Sequence, residues 1–383
     1  MISTRQDLHL VHRIIVKIGS SLLTDAEAGI RMDRVNQIAA QVYRLQQEGV
    51  QVCLVSSGSV ALGRVHLGWL GKVLSVHEKQ AAAAVGQSWL MGAYREAFAV
   101  YDMQVAQMLL TKDDLRHRRR YLNASNTSET LFSAGVVPIV NENDTVVVEE
   151  IKFGDNDSLG ALVSLVVQAD LLVMVTDVDG LFDRNPNEHA DAKRCSTISV
   201  FNDEVMQMAG DVGSQFGTGG MLSKLKASHI ATRGGVVSAI VNGQQEGVLD
   251  ALLSGEDVGT VFLCGADRQS RHHHWIADIL NVVGQLYVDA GAAKALSQGG
   301  ASLLPIGVTA VQGHFDKGEC VEVIADQGVI ARGLCNYNAE DLRRIVGCLS
   351  QDIEKILGYV DFTSVIHRNN LVIMGMNKED EHV

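Results

Sequence analysis

Six short aliphatic runs constrain the fold of this chain more than any other feature. They fall at residues 14–18, 50–55, 105–110, 136–140, 171–176 and 236–241. Most are continuously apolar rather than alternating, the pattern of strands buried on both faces of a parallel sheet. Longer stretches with helical spacing lie between them. Residues 33–48 set Val35, Ile38, Val42 and Leu45 three or four apart, with Asp33 at the start and Gly49 at the stop. Residues 79–100 are alanine-rich, and 158–168 and 221–233 also repeat with a helical period. This succession predicts an α/β fold: a three-layer sandwich with an open, mostly parallel sheet and helices on both faces. In such sheets ligands bind beyond the carboxyl ends of the strands.

The texture changes after about residue 284. Short strand candidates at 303–304, 308–311, 320–324 and 329–331 alternate with glycine turns, and a helix is predicted at 339–347. That is the pattern of a small β-barrel-like or sandwich module. A length of 383 residues also favours two domains. We expect the first at 1–265, a polar linker at 266–283 and the second at 284–365, with a frayed tail at 377–383.

Composition narrows the function. With 46% hydrophobic and 20% charged residues, the chain has the balance of a soluble globular protein. Its formal net charge of -13 repels nucleic acid and anionic membranes on average. An anionic substrate would have to be drawn in by a local cluster of lysine or arginine. The 6 cysteines form no C-x-x-C pair, so reduced thiols are expected rather than a disulfide framework or zinc site. The first residues lack the roughly 7–15-residue apolar core of a signal peptide. No apolar run reaches the ~18–20 residues that span a bilayer. A cytoplasmic protein with no membrane partner is expected. The basic run Arg116–Arg120 is expected to be a solvated helix face. His272–His274, three adjacent side chains, do not converge as metal ligands do.

Polar residues gather in four loops at predicted strand ends. Lys17 closes the first run and is followed by Gly19, Ser20 and Ser21, whose N–H groups and hydroxyls suit a phosphate. A surface-seeking lysine is the plain alternative. Ser56, Ser57, Gly58 and Ser59 follow the second run; they suit an anion, although a serine helix cap explains them as well. The third loop, Asn141–Asp144, is followed by a predicted hairpin with arms at 145–149 and 151–153. It leads into EIKFGDNDSL, where Lys152, Asp155, Asn156 and Asp157 crowd one glycine. Helix capping needs one acid, and here there are two. In the fourth, GTGGMLSKL, glycines open a helix and Lys224 sits one turn in, against the helix dipole, where a phosphate would justify it. DVDGLFD at 177–183 resembles the start of a calcium loop, but Phe182 stands where the loop glycine belongs, so we reject that reading. Two lysines, a glycine-rich helix start and a carboxylate cluster point to phosphoryl transfer, which relies on positioning and charge stabilisation.

The motifs VKIGSS, VSSGSVALGR, KQAAAAVGQ, QMLLT, VNENDT, EIKFGDNDSL, VTDVDGLF and GTGGMLSKL, in this order, resemble the amino-acid kinase family, and within it the glutamate 5-kinases. The stretch GASLLPIGVTAVQGHFDKGECV resembles a PUA domain. Acetylglutamate, carbamate, aspartate and uridylate kinases share the fold but lack this GDND context with the appended module.

The resemblance implies ATP-dependent phosphorylation of the side-chain carboxylate of L-glutamate to glutamyl 5-phosphate, the first step of proline biosynthesis. It also implies inhibition by proline, a homo-oligomer, and Mg2+ bridging the ATP phosphates. Carried over residue by residue, Lys17 and Lys224 would neutralise the transferring phosphoryl group and Asp157 would hold both ammoniums. Ser57, Gly58, Asp144 and Asn156 would bind glutamate. Lys17, Thr176, Asp177, Thr218, Gly219, Gly220, Met221, Leu222, Ser223 and Lys224 would line the nucleotide site. Ser20 departs from the family's frequent threonine but keeps the hydroxyl. His272–His274 depart from its usual basic residues there. Two alternatives remain open: RNA binding through the PUA-like module, which the net charge argues against, and the same chemistry on aspartate or acetylglutamate.

Overall fold

The computed structural model describes residues 2–25, 29–146, 155–186, 188–189, 191–208, 220–264, 280–298 and 300–374, with Asp155 in its backbone only. The chain divides into two compact units, Met1–Leu115 with Leu122–Asp267, and Arg116–Tyr121 with Arg268–Val383.

The first unit is built on eight strands: β1 (Arg13–Ile18), β2 (Gln51–Val55), β3 (Val105–Leu110), β4 (Val137–Glu142), β5 (Leu171–Thr176), β6 (Thr197–Ile198), β7 (Val237–Asn242) and β8 (Thr260–Phe262). Their order in the sheet is β3-β4-β2-β1-β5-β7-β8-β6. Every pairing is parallel except β7 with β8. The expected open, mostly parallel sheet is therefore present. The short strands β6 and β8 carried too few residues to stand out as runs.

Alternation along β1 assigns the layers. Ile14, Val16 and Ile18 pack with Val35, Val42 and Leu45 of helix α1 (Met32–Gln47), and with Tyr94 and Phe98 of the longer helix Val76–Ala99. Lys17 points to the other face, where its stem lies under α4 (Asp155–Val166): a Cβ added at Gly160 would stand 3.4 Å from Lys17 Cβ. Between α1 and α4 in chain order run α2 (Ser59–His66) and the capped helix just named, α3 (Val76–Ala99). These two cross so closely that a Cβ at Gly86 would meet the Ser59 carbonyl oxygen at 1.8 Å. Only glycine fits there. Helix α5 (Met221–Arg233) packs beside α4.

The second unit has a five-stranded sheet of β9 (Val282–Val288), β10 (Val308–Gly313), β11 (Cys320–Ala325), β12 (Gly328–Leu334) and β13 (Leu371–Ile373), in the order β10-β9-β11-β12-β13. Only β9 with β11 is parallel. Helices α6 (Ala290–Ser297) and α7 (Ala339–Ile345) complete it, and Leu286, Val321, Val323, Tyr337, Leu342 and Val365 are in its core.

Several expectations need correction. The strand expected at 303–304 is a single bridge, Leu303 to Ile366, followed by a 3-10 turn at Pro305–Gly307, because proline cannot extend a ladder there. The hairpin expected from residue 145 opens instead with a turn through Thr145 and Val146. Arg118, expected on a solvated face, starts a helix half-buried, and burial lowers its pKa. The rest of that hairpin, Lys152, residues 266–279 of the expected linker, His272–His274 and the tail at 377–383 lie outside the described residues.

Candidate active site

The strands β1, β2, β4 and β5 run parallel, and polar residues stand at or beyond the carboxyl end of each. In the sheet β2 and β5 flank β1 on opposite sides, the switch of direction beside which open α/β sheets bind ligands. Lys17 stands near the end of β1, in register with Val55 of β2 and Met174 of β5.

The centre is Asp157, in the first turn of α4 and fully buried at 0% exposure. Its Oδ1 lies 2.5 Å from Lys17 Nζ and its Oδ2 3.3 Å from Lys224 Nζ. Ser223 Oγ donates to Oδ2 at 2.6 Å. Both lysines are buried as well. The Lys17 contact is the shorter of the two ion pairs. The geometry follows from local structure. Asp157 is one helical turn before Gly160, which rests on the Lys17 stem. Lys224 is the fourth residue of α5 after its N-cap Gly220.

Charge in this cluster is unbalanced. Burial pushes the Asp157 carboxyl up, but Lys17, Lys224 and the Ser223 hydroxyl bring it below the ordinary carboxylate range. The Lys224 pKa is lowered, chiefly by burial and further by Lys17, with Asp157 opposing. These directions agree physically: one carboxylate facing two ammoniums is firmly ionised, and the ammoniums share an excess positive charge. The N-termini of α4 and α5 add to it.

A second group lies at the ends of β2 and β4. Asn156 Nδ2 donates to Ser56 O at 2.7 Å, Ser57 Oγ at 2.9 Å and Asn141 Oδ1 at 3.0 Å. Ser59 Oγ donates to Asp144 Oδ2 at 3.2 Å. Burial raises the Asp144 pKa, with the Ser59 hydroxyl opposing. Neighbouring Glu142 is pushed up to about 7, first by burial and then by Asp144. Gly58 takes φ +100° at the start of α2. At the end of β5, Thr176 Oγ1 donates to Asp177 Oδ1 at 3.1 Å, and Asn242 Nδ2 holds Asp179 Oδ1 at 2.8 Å.

The structure thus brings Lys17, Asp157, Ser223 and Lys224 into contact, and separately Ser57 with Asn156. Asp144 joins α2 through Ser59, and Gly220, Met221 and Leu222 form the start of α5. Thr218, Gly219 and the side chain of Asp155 lie outside the described residues. Sequence reasoning assigned no role to Asn141 or Gln87, yet Asn141 Nδ2 donates to Gln87 Oε1 at 2.8 Å. Asn141 carried a signal, a polar side chain closing a buried strand. Gln87 closes the motif KQAAAAVGQ, but nothing local gave it a role, since its partner is remote in sequence.

Among the described residues no three or more His, Cys, Asp or Glu side chains could hold a metal ion, and no helix is long and apolar enough to cross a membrane.

Comparison with known proteins identifies the family. The model of the amino acid kinase family matches residues 12–242, and that of the PUA domain matches 284–357. A curated glutamate 5-kinase of Geobacter sulfurreducens is 49% identical over 368 residues, covering 96% of this chain and 99% of that one. One of Thioalkalivibrio sulfidiphilus is 46% identical over 375 residues, 98% of this chain and 100% of the other. Among solved structures, a UMP kinase of Bacillus anthracis overlays with a TM-score of 0.48 at 15% identity, covering 67% of this chain and 97% of that one.

Proposed function

The chain belongs to the amino acid kinase family and carries a PUA domain, and from that premise we propose that it transfers the γ-phosphoryl group of ATP to the side-chain carboxylate of L-glutamate. The product is glutamyl 5-phosphate, made in proline biosynthesis. The observation that carries the reading is the pair of buried lysines on Asp157 at the carboxyl ends of a parallel sheet. The names of the relatives support glutamate as the acceptor.

The chemistry needs little from the protein beyond placement. A glutamate carboxylate oxygen forms a bond to the γ-phosphorus while the bond to the bridging oxygen of ADP breaks. The nucleophile is already ionised, so no general base is required. Lys17 and Lys224 neutralise the transferring group, and Asp157 fixes both ammoniums and limits their mutual repulsion. Ser57, Gly58, Asp144 and Asn156 bind glutamate, with Asp144 and Asn156 facing its ammonium. Thr176, Asp177, Thr218 and Gly219, with Gly220 and the first turn of α5 from Met221 to Lys224, line the nucleotide site.

Both oxygens of Asp157 are engaged by protein groups. This donor set fits Mg2+ carried on the nucleotide's own phosphates rather than in a protein cage. When bound, that ion supplies further charge neutralisation between the phosphates.

We place the kinase domain at 1–265, the linker at 266–283 and the PUA domain at 284–365, in a cytoplasmic homo-oligomer. Inhibition by proline and self-association rest on the family likeness alone. ADP release by the purified protein, measured with glutamate, aspartate and acetylglutamate, each with and without proline, tests the reading. Glutamate-dependent release suppressed by proline is the expected result. Release with aspartate or acetylglutamate alone would move the acceptor, and no release with any acid would overturn the assignment.

A further inference from the structure

Gln87 is an unexpected residue for its place. It lies on α3 between Ala83 and Leu90, both buried, and is itself only 9% exposed. Its Oε1 accepts from Asn141, but its Nε2 is buried with no hydrogen-bond partner among the described residues. A buried donor left unpaired is unfavourable by roughly 1–3 kcal/mol. Folding alone would be better served by a methionine or leucine. The acceptor end is therefore the useful end, and what it serves is Asn141.

Asn141 is 1% exposed. Its two ends do different work. Nδ2 goes to Gln87 Oε1, and Oδ1 accepts from the Glu142 backbone N–H at 2.9 Å and from Asn156 Nδ2 at 3.0 Å. Asn156 spends its amino group on Asn141, Ser57 and the Ser56 carbonyl. Among the described residues no donor reaches its Oδ1. Three amides thus stand in a row with one polarity, each presenting an acceptor to the next donor, and the row ends on a free carbonyl oxygen at the site. Such chains polarise one another in a low-dielectric interior.

We propose that Gln87 is a positioning residue for the acceptor amino acid: it holds Asn141 in the one orientation that leaves Asn156 presenting a carbonyl oxygen to the substrate's ammonium group. The inference rests on the amino-acid acceptor proposed above. Without the Gln87 acceptor, Asn141 Nδ2 is buried unpaired, and rotation of that amide would turn its amino group against the amino group of Asn156.

The test compares Gln87→Met, which keeps the size and removes the acceptor, with Gln87→Glu, which keeps the acceptor. In Gln87→Met the KM for glutamate is expected to rise about tenfold or more, with the KM for ATP changed less than about twofold. Gln87→Glu is expected to restore the glutamate KM to within about threefold of the parent. An unchanged glutamate KM in Gln87→Met, or equal rises for glutamate and ATP in both variants, would overturn the proposal. A readout without substrate separates it from the acceptor assignment. With asparagine labelled by 15N, the side-chain amide protons of Asn141 and Asn156 are expected to resist exchange in the parent and in Gln87→Glu, and to lose that protection in Gln87→Met. Equal protection in all three would also sink the relay. Failure of the parent to turn over glutamate would sink the acceptor assignment instead.

Discussion

Lys17 and Lys224 rest on opposite oxygens of one carboxylate, 2.5 Å from Oδ1 and 3.3 Å from Oδ2 of Asp157. Removing that carboxylate leaves two buried ammoniums facing each other. Breaking a buried pair by deleting one partner is destabilising by about 3–5 kcal/mol. Asp157→Asn should therefore lower the midpoint of urea unfolding by a corresponding amount and abolish turnover. A variant as stable as the parent would show that the carboxylate is not what holds the lysines.

Replacing either lysine tests the chemistry rather than the fold. Lys17→Ala or Lys224→Ala is expected to lower kcat by roughly 10²–10³, about 3–4 kcal/mol, as for loss of one preorganised donor to a transition state. Steady-state kinetics on purified variants with matched circular dichroism is the check. Full activity in either would remove phosphoryl transfer at this cluster.

Glu142 gives a pH signature. Its carboxyl is pushed up to about 7 by burial, by Asp144, and by Asp114 and Asp113, with Lys112 opposing. A carboxyl raised in the folded state holds its proton there after the unfolded chain has lost it. Its effect on stability is absent below the ordinary glutamate value and grows more adverse as pH rises towards 7. Glu142→Gln should match the parent near pH 4 and exceed it by up to about 3 kcal/mol above pH 7. Thermal midpoints across this range provide the measurement, and a gap that stays constant with pH would refute it.

Gly86 tests how the acceptor pocket is framed. A Cβ there would stand 1.8 Å from the Ser59 carbonyl oxygen, and Ser59 in turn binds Asp144. Gly86→Ala forces α2 and α3 apart. It should destabilise the fold by about 1–3 kcal/mol or more and raise the KM for glutamate more than that for ATP. Equal effects on both substrates would show that the strain is absorbed elsewhere.

Much of this molecule was legible in its residues, for identifiable reasons. A strand buried on both faces must be apolar along its length, so residues 14–18 and 171–176 announced themselves. A lysine closing such a run, and another at a helix start, are electrostatically unfavourable without partners, so Lys17 and Lys224 stood out. Thr260–Phe262 did not, because three residues make no run, and Leu303 misled because its apolar neighbour precedes a proline. The relay through Gln87 was invisible: the motif KQAAAAVGQ includes that glutamine, but its partner Asn141 is remote in sequence.

By itself the sequence determined the layers, the strand ends and the kinds of charge that gather there, because periodicity and burial act within each segment. Which lysine meets which oxygen, which amide end faces the substrate, and which glycine must stay bare were decided only by the tertiary structure. Those outcomes depend on distances of a few ångströms between segments far apart along the chain, and no local preference encodes them.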